Sequence, residues 1–256
     1  MTLLSKNKIK YIRSLELKKI RKEEKVFLAE GPKLVGDLLG HLSCSLLAAT
    51  SSWLQEHTSV QADEIAEVTQ DELSRASLLK TPQQVLAVFR QPEYILNTSI
   101  LRNSLCLALD DVQDPGNLGT MVRTVEGAGV SGIIMNRTTV DIFNPKTVRS
   151  TMGSLYRVPF YITDDLPETI EYAKSKGVYL YAAHLKGKCS YDRPDYTGAC
   201  GFMIGNEGNG LSDEIADMAD TYIRIPMEGA VESLNAAISA TLLMYECNRQ
   251  RRLLGE

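Results

Sequence analysis

Three short stretches of this 256-residue chain combine glycine with polar side chains in spacings that suit a ligand site. They are Asn117 to Arg123, Met203 to Gly210 and Ile225 to Asn235. Each follows a short apolar run that is typical of a strand. Because ligands of parallel α/β sheets bind outside the carboxyl ends of the strands, the three stretches predict one shared pocket.

The second stretch is a glycine-rich loop, and its composition narrows the class of ligand. Glycines allow a backbone to approach a ligand closely, but the loop lacks the Gly-Lys-Ser/Thr ending of a phosphate-binding loop. Glu207 would repel an anion at this position. A neutral or cationic ligand fits better, and S-adenosylmethionine, whose reactive sulfonium is positive, meets that requirement where ATP does not.

The first and third stretches each lead into a predicted helix. Pro115-Gly116 forms a turn, and Asn117 is a favoured capping residue at which the first helix is expected to begin. Arg123 lies six residues further on, and its long side chain is expected to lean back toward the strand ends. Ser233 is expected to cap the long helix that follows the third stretch.

Strand-like runs alternate with helical segments along the whole chain, which predicts two α/β units. A basic helical stretch, a capped helix after Thr69 and four apolar runs form the first unit, residues 1–90. Residues 91–103 are predicted to be a linker, because they contain Pro92 and little periodicity. Residues 104–256 hold six further apolar runs, predicting a mainly parallel sheet with helices on both faces.

Composition sets limits on the function. Apolar residues make up 44% of the chain and charged residues 23%, as in an ordinary globular protein. The absence of a run of about 20 apolar residues or of a signal-peptide stretch predicts a cytoplasmic protein without a membrane span. Five scattered cysteines and three histidines offer no metal-binding spacing, so reduced thiols and no metal are expected.

The net charge of -4 is unevenly distributed. Residues 1–33 hold ten lysines and arginines against four acids, a local charge of +6, so the remaining residues carry -10. A basic leading segment suits contact with a polyanion, because only the local field acts within about 10 Å at ordinary salt. A solvated helix face explains the same residues equally well.

The three stretches together resemble the motifs of the SpoU (TrmH) family of RNA ribose 2'-O-methyltransferases. The matching patterns are N-x-G-x-x-x-R, then I-G-x-E-G-x-G-L-S, then I-P-M-x-G-x-V-x-S-L-N, in the family's order and spacing. The resemblance covers the chain from about Leu105 onward and implies a deep trefoil knot around S-adenosylmethionine. It also implies that the front segment is a small substrate-binding domain for RNA.

The resemblance assigns roles to particular residues. It implies that Gly205, Ile225 and Leu234 contact the adenosine part of the cofactor. It also implies that the polar positions around the methyl-transfer centre are occupied by Asn117, Arg123, Glu207, Ser233 and Asn235. Arginine is a poor base, because its pKa exceeds about 12, so Arg123 is expected to bind a phosphate and orient the 2'-hydroxyl.

Other assignments stay open on the sequence alone. The family places Asn144, Lys146 and Arg149 near RNA, but an ordinary exposed helix face accounts for them as well. His184 is either a pocket residue or a satisfied loop histidine. The expected substrate is ribosomal RNA rather than transfer RNA, acted on by a homodimer formed through the C-terminal domain. The alternatives are a tRNA ribose methyltransferase and a non-catalytic RNA-binding protein of the same fold.

Overall fold

The chain divides into two compact units, which the computed structural model describes over residues 4–96, 101 and 105–255. One unit comprises Met1–Glu93 and Asp141–Tyr156, and the other comprises Tyr94–Val140 and Arg157–Glu256. Residues 97–100 and 102–103 of the predicted linker at 91–103 lie outside the described residues. The division of the sequence at that linker therefore stays a prediction.

The first unit is a four-stranded mixed sheet with short helices. The sheet order is β1-β4-β2-β3, with β4 antiparallel to β1 and β2, and β2 parallel to β3. Its elements are α1 (Lys6–Ser14), α2 (Lys18–Glu24), β1 (Val26–Glu30), α3 (Pro32–Leu38), β2 (Cys44–Ala49), α4 (Ser51–Glu56), β3 (Ile65–Glu67), α5 (Gln70–Ala76), β4 (Val85–Arg90) and α7 (Pro145–Ser150).

Local sequence signals explain much of this unit. Thr69 caps α5 as predicted, because its hydroxyl accepts from the Glu72 N–H at 3.2 Å and the Glu72 carboxylate accepts from the Thr69 N–H at 2.9 Å. The basic helical stretch predicted from Asn7 to Lys25 contains two helices, because the chain turns between α1 and α2. Arg21 holds that turn by donating to the carbonyls of Leu15 and Glu16 at 2.8 and 2.7 Å.

The segment Asp141–Tyr156 belongs to the core of this first unit, although in sequence it follows a part of the second unit that ends at Val140. The buried guanidinium of Arg21 forms an ion pair with Asp141 at 2.6 Å. The rings of Phe27 and Phe143 stack with centroids 5.3 Å apart. A part of the chain that the sequence assigns to the second domain thus completes the packing of the first unit.

The second unit is a seven-stranded sheet in which every strand pair is parallel, in the order β7-β6-β5-β10-β8-β11-β9. Its elements are β5 (Leu105–Leu109), α6 (Pro115–Ala128), β6 (Gly132–Asn136), β7 (Phe160–Thr163), α8 (Leu166–Ser175), β8 (Tyr179–Ala183), β9 (Cys189–Ser190), β10 (Cys200–Ile204), α9 (Asp213–Asp217), β11 (Thr221–Arg224) and α10 (Ala236–Leu254).

The central strands of this sheet are covered on both faces. Every residue of β5 and of β10 is buried, as expected for parallel strands between two layers. The predicted mainly parallel α/β fold preceded by a smaller α/β unit is therefore confirmed. Because all strands of this sheet run in one direction, the loops after β5, β8, β10 and β11 emerge at the same edge.

Candidate active site

A cavity of about 450 Å³ lies at this edge of the second unit. Its walls come from the loops after β8, β10 and β11 and from the start of α10. Five residues predicted for the site line it: Gly205, Glu207, Ile225, Ser233 and Leu234. The volume is within the range of about 300–1,000 Å³ that small-molecule sites occupy.

Gly205 is required by the shape of the glycine loop itself. A Cβ at this position would lie 2.1 Å from the backbone carbon of Gly210 and the backbone nitrogen of Leu211. The loop closes there because Asn206 and Gly210 exchange two backbone hydrogen bonds of 2.9 Å. Gly210 completes the turn with a φ of +72°, a conformation that favours glycine. The glycines therefore bring two backbone segments together on one wall of the cavity.

The carboxylate of Glu207 joins the second motif to the first. It accepts hydrogen bonds from the N–H groups of Gln113 and Asp114, both at 3.0 Å, and from the side-chain amide of Asn117 at 2.9 Å. Partial burial alone would raise the pKa of Glu207, but these hydrogen bonds outweigh it and lower that pKa below its usual range. The ionised carboxylate of Glu207 therefore holds two loops together.

Asn117 extends this connection to the third motif. The side-chain amide of Asn235 donates to the side-chain oxygen of Asn117 at 2.9 Å. Glu207, Asn117 and Asn235 thus form a hydrogen-bonded chain that links all three motifs, which the sequence predicted would meet.

Two predicted helix caps are wrong by a few residues. α6 is capped by Asp114, whose carboxylate accepts from the Asn117 N–H at 2.8 Å. α10 is capped by Asn235, whose side-chain oxygen accepts from the N–H groups of Ala237 and Ile238. Asp, Asn and Ser cap helices about equally well, so residue type alone does not choose between them.

Arg123 and Ser233 are the predicted site residues that the structure leaves unpaired. Both side chains are exposed. Neither makes a hydrogen bond or an ion pair within the described part of the chain. Arg123 projects from α6, the helix that also carries Asn117, and it does not line the cavity.

A buried carboxylate beneath the loops was missed by the sequence reasoning. Asp110, at the end of β5, accepts from the backbone N–H and hydroxyl of Ser212 at 2.9 and 2.7 Å, and from the Asn136 amide at 2.8 Å. It ties the ends of β5 and β6 to the glycine loop. The sequence did contain a signal for Asp110, because an acidic residue directly after a buried strand needs hydrogen-bond partners.

The remaining candidates separate into two places. His184 lines the cavity, and its Nδ1 accepts a hydrogen bond from the Lys186 N–H at 3.0 Å. It is therefore both a pocket residue and a loop histidine with a hydrogen-bonded ring. Asn144, Lys146 and Arg149 lie in the segment of the first unit. There Asn144 caps α7 by accepting from the Lys146 N–H at 2.9 Å.

A parallel α/β sheet whose strand-end loops line a cavity is the arrangement in which α/β proteins bind small molecules. The sequence profile of the SpoU rRNA methylase family matches residues 104–245. The profile of the MRM3-like substrate-binding domain matches residues 6–87. The chain therefore belongs to the SpoU methylase family and is a methyltransferase.

Similar proteins extend over nearly the whole chain. The 23S rRNA (guanosine(2553)-2'-O)-methyltransferase RlmP of Bacillus subtilis is 32% identical over 243 residues, which are 93% of this chain and 94% of RlmP. The AdoMet-bound rRNA methyltransferase of Sinorhizobium meliloti is 34% identical, with a TM-score of 0.85 and coverage of 97% of each chain. The SpoU methyltransferase AviRb of Streptomyces viridochromogenes, in complex with AdoMet, has a TM-score of 0.87 at 26% identity and covers 97% of this chain and 99% of that one.

Within the described residues, no helix combines the length and the apolar character that crossing a membrane requires.

Proposed function

We propose that this protein transfers the methyl group of S-adenosylmethionine to a ribose 2'-hydroxyl of ribosomal RNA. The observation that carries the proposal is the hydrogen-bonded chain Glu207–Asn117–Asn235, which draws the three motifs together beside one cavity. The name of RlmP supports the ribose 2'-oxygen of 23S rRNA as the acceptor. The AdoMet complexes of two similar structures support the donor.

The residues of the cavity fit this cofactor. Ile223, Ile225 and Leu234 give an apolar wall for a purine ring, and Glu207 and Glu232 place negative charge at the cavity that suits a cation. When bound there, S-adenosylmethionine supplies an electrophilic methyl group on a positive sulfur. Gly205, Ile225 and Leu234 are the residues assigned to hold its adenosine part.

The polar residues position the acceptor. Exposed and without a protein partner in the described residues, Arg123 is available for the phosphate next to the target ribose. Binding that phosphate orients the 2'-hydroxyl for in-line attack, and the phosphate assists loss of the hydroxyl proton. Asn117, Glu207 and Asn235 hold the helix that carries Arg123 against the cavity wall, and Ser233 lies exposed on that wall.

The trefoil knot is part of this proposal. β10 enters the middle of the sheet between β5 and β8 after the chain has already formed β9 at the far edge. α10 then returns to α6, where the Thr124 and Thr241 hydroxyls lie 3.4 Å apart and the Asn248 amide donates to the Ala128 carbonyl at 3.1 Å. A chain end that returns across loops already in place supports threading.

RNA binding by the first unit, a homodimer and a cytoplasmic location complete the proposal. Exposed lysines of the basic segment support the RNA contact, and they include Lys6, Lys10, Lys18 and Lys22. On α10, Ile238 and Tyr245 are 51% and 47% exposed, which supports burial against a second copy of the second unit. A ribosomal RNA substrate favours a cytoplasmic location for this protein.

The test of the function is a map of ribose methylation in ribosomal RNA from cells with and without this protein. We expect one site to lose its methyl group in the absence of the protein and to regain it with purified enzyme and S-adenosylmethionine. Methylation of transfer RNA instead would support the tRNA alternative. Cofactor-independent RNA binding with no methyl transfer to either RNA would support the non-catalytic alternative.

The assigned role of Arg123 has its own test. We expect Arg123→Ala to lower kcat about 100-fold, because orientation of the hydroxyl is lost, while the dissociation constant for S-adenosylhomocysteine stays unchanged. Arg193→Ala, which removes another exposed arginine of the second unit, is the control and should keep full activity. Near-normal methylation by Arg123→Ala would show that the assigned role is wrong.

A further inference from the structure

Two buried cysteines converge on one carbonyl on the side of the second unit away from the cavity loops. Cys200 is the first residue of β10, and Cys247 lies on α10. Their thiols both donate to the backbone oxygen of Tyr196, at 3.8 and 3.4 Å. Because both sulfurs lie within 4 Å of one oxygen, rotation of the two side chains is enough to bring them together.

A guanidinium lies against this pair. Arg251 donates to the Tyr196 carbonyl at 3.0 Å and to the Gly198 carbonyl at 2.7 Å, and its Nη2 lies 3.7 Å from the sulfur of Cys200. The neighbouring thiol of Cys200 lowers the pKa of Cys247, with a smaller contribution from the positive charge of Arg251. Because the thiolate is the reactive form of cysteine, this arrangement favours oxidation of the pair.

A second cavity, of about 220 Å³, lies against Cys247, which is fully buried. It is lined by Leu105, Ala128, Gly129, Cys247, Asn248, Arg251 and Arg252, and it shares no residue with the cavity of the active site. A hydroperoxide is small enough to enter such a space. Among the described residues, no group of three His, Cys, Asp or Glu could hold a metal ion. The two cysteines beside Arg251 therefore support thiol chemistry.

The other buried thiol of this sheet faces away. Gly201 is paired with Cys106 across β10 and β5, and a Cβ on Gly201 would meet the Cys106 sulfur. Because side chains alternate between the faces of a strand, Cys200 and Cys106 lie on opposite faces of the sheet. Geometry therefore selects Cys247, and not Cys106, as the partner of Cys200.

We propose that Cys200 and Cys247 form an oxidation site that a hydroperoxide converts into a disulfide. The Cys247 sulfur attacks one peroxide oxygen, the O–O bond breaks, and a sulfenic acid forms while water or an alcohol leaves. The Cys200 sulfur then attacks the sulfenic sulfur, and the hydroxyl leaves as water with the thiol proton. Two electrons pass from the two thiols to the peroxide. The disulfide joins α10 to the strand that leads into the glycine loop.

The experiment treats the full-length protein with hydrogen peroxide, blocks the remaining thiols and maps the peptides by mass spectrometry. We expect a Cys200–Cys247 peptide that has lost two hydrogen atoms and that dithiothreitol separates again. We also expect the oxidised protein to melt several degrees higher, because the bond closes a long loop. Cys247→Ala should abolish both effects, and Cys189→Ser should leave both unchanged.

A matched pair of arginine variants tests the proposal without replacing either cysteine. Arg251→Gln retains both thiols but removes the guanidinium, so the disulfide should form several-fold more slowly. Arg252→Gln changes the neighbouring residue, whose Nε donates to Asn248 instead, and the rate should not change. Cross-links to Cys106 or Cys189, oxidation to sulfinic acids without a disulfide, or equal rates in the two variants would overturn the proposal. None of these outcomes bears on methyl transfer.

Discussion

At the scale of single residues, the charge of Glu207 belongs to the architecture of the site. Its oxygens accept three hydrogen bonds, two from the N–H groups of Gln113 and Asp114 and one from Asn117 of the first motif, so its pKa is lowered in the folded protein. A carboxylate with a lowered folded pKa stabilises the fold above its unfolded pKa of about 4.3. That contribution is lost as the pH falls through the folded pKa.

We therefore expect Glu207→Gln to lower the free energy of unfolding at pH 7 by about 1 kcal/mol, a modest loss because the side chain is largely exposed. We also expect the variant to lose less stability than the wild type as the pH is taken below about 4.3. Urea unfolding at a series of pH values measures both effects. Identical acid dependence in the two proteins would contradict the bracing role.

At the scale of elements, the glycine loop depends on one missing side chain. We expect Gly205→Ala to weaken binding of S-adenosylhomocysteine at least 10-fold, since its Cβ would meet the Gly210–Leu211 backbone at 2.1 Å and a wall of the cavity would have to move. Gly229→Ala is the control, because a Cβ there meets nothing within 4 Å. Isothermal calorimetry compares the two, and equal affinities would disprove the requirement.

The start of α10 offers a second test at this scale. Asn235→Ala removes the cap of the helix and the hydrogen bond to Asn117, so the free energy of unfolding should fall by about 1–2 kcal/mol. Ser233→Ala should leave stability unchanged, because the Ser233 hydroxyl has no hydrogen-bond partner among the described residues. Thermal and urea unfolding distinguish this assignment from the sequence-based prediction of Ser233 as the cap.

At the scale of the whole molecule, the first unit depends on residues far along the chain. Asp141→Ala would leave the guanidinium of Arg21, of which 2% is exposed, without its charged partner, and we expect a loss of about 3–5 kcal/mol. Asp63→Ala breaks the exposed ion pair to Arg90 in the same unit and should cost less than about 1 kcal/mol. Equal losses in denaturant unfolding would contradict the structural role of the segment Asp141–Tyr156.

The sequence predicted those features that short-range patterns encode. All ten predicted strand-like runs are strands, because parallel strands read as continuous apolar runs bounded by polar residues. The convergence of the three motifs was predictable as well, since parallel strands place their carboxyl ends at one edge. The same pattern made it possible to predict the pocket and five of the residues that line it.

Features that depend on contacts between distant residues were not predictable. The two-residue strand β9 is too short for periodicity to mark it. Asp110 and Asn136 gain their importance from a hydrogen bond across neighbouring strands. The segment Asp141–Tyr156 packs in the first unit through contacts with Arg21 and Phe27. These partners lie more than a hundred positions away in sequence, and the local sequence around them does not predict the contacts.

The wide separation of the three motifs also governs when the pocket comes into being during synthesis on the ribosome. The helix that carries Asn117 is translated early, whereas Asn235 emerges 118 positions later. A nascent chain halted between them lacks part or all of the cavity lining, which runs from Ala183 to Ser239. Cofactor capture is therefore postponed until translation has passed Ser239, the last residue of the cavity lining, and a truncated product is released without a donor site.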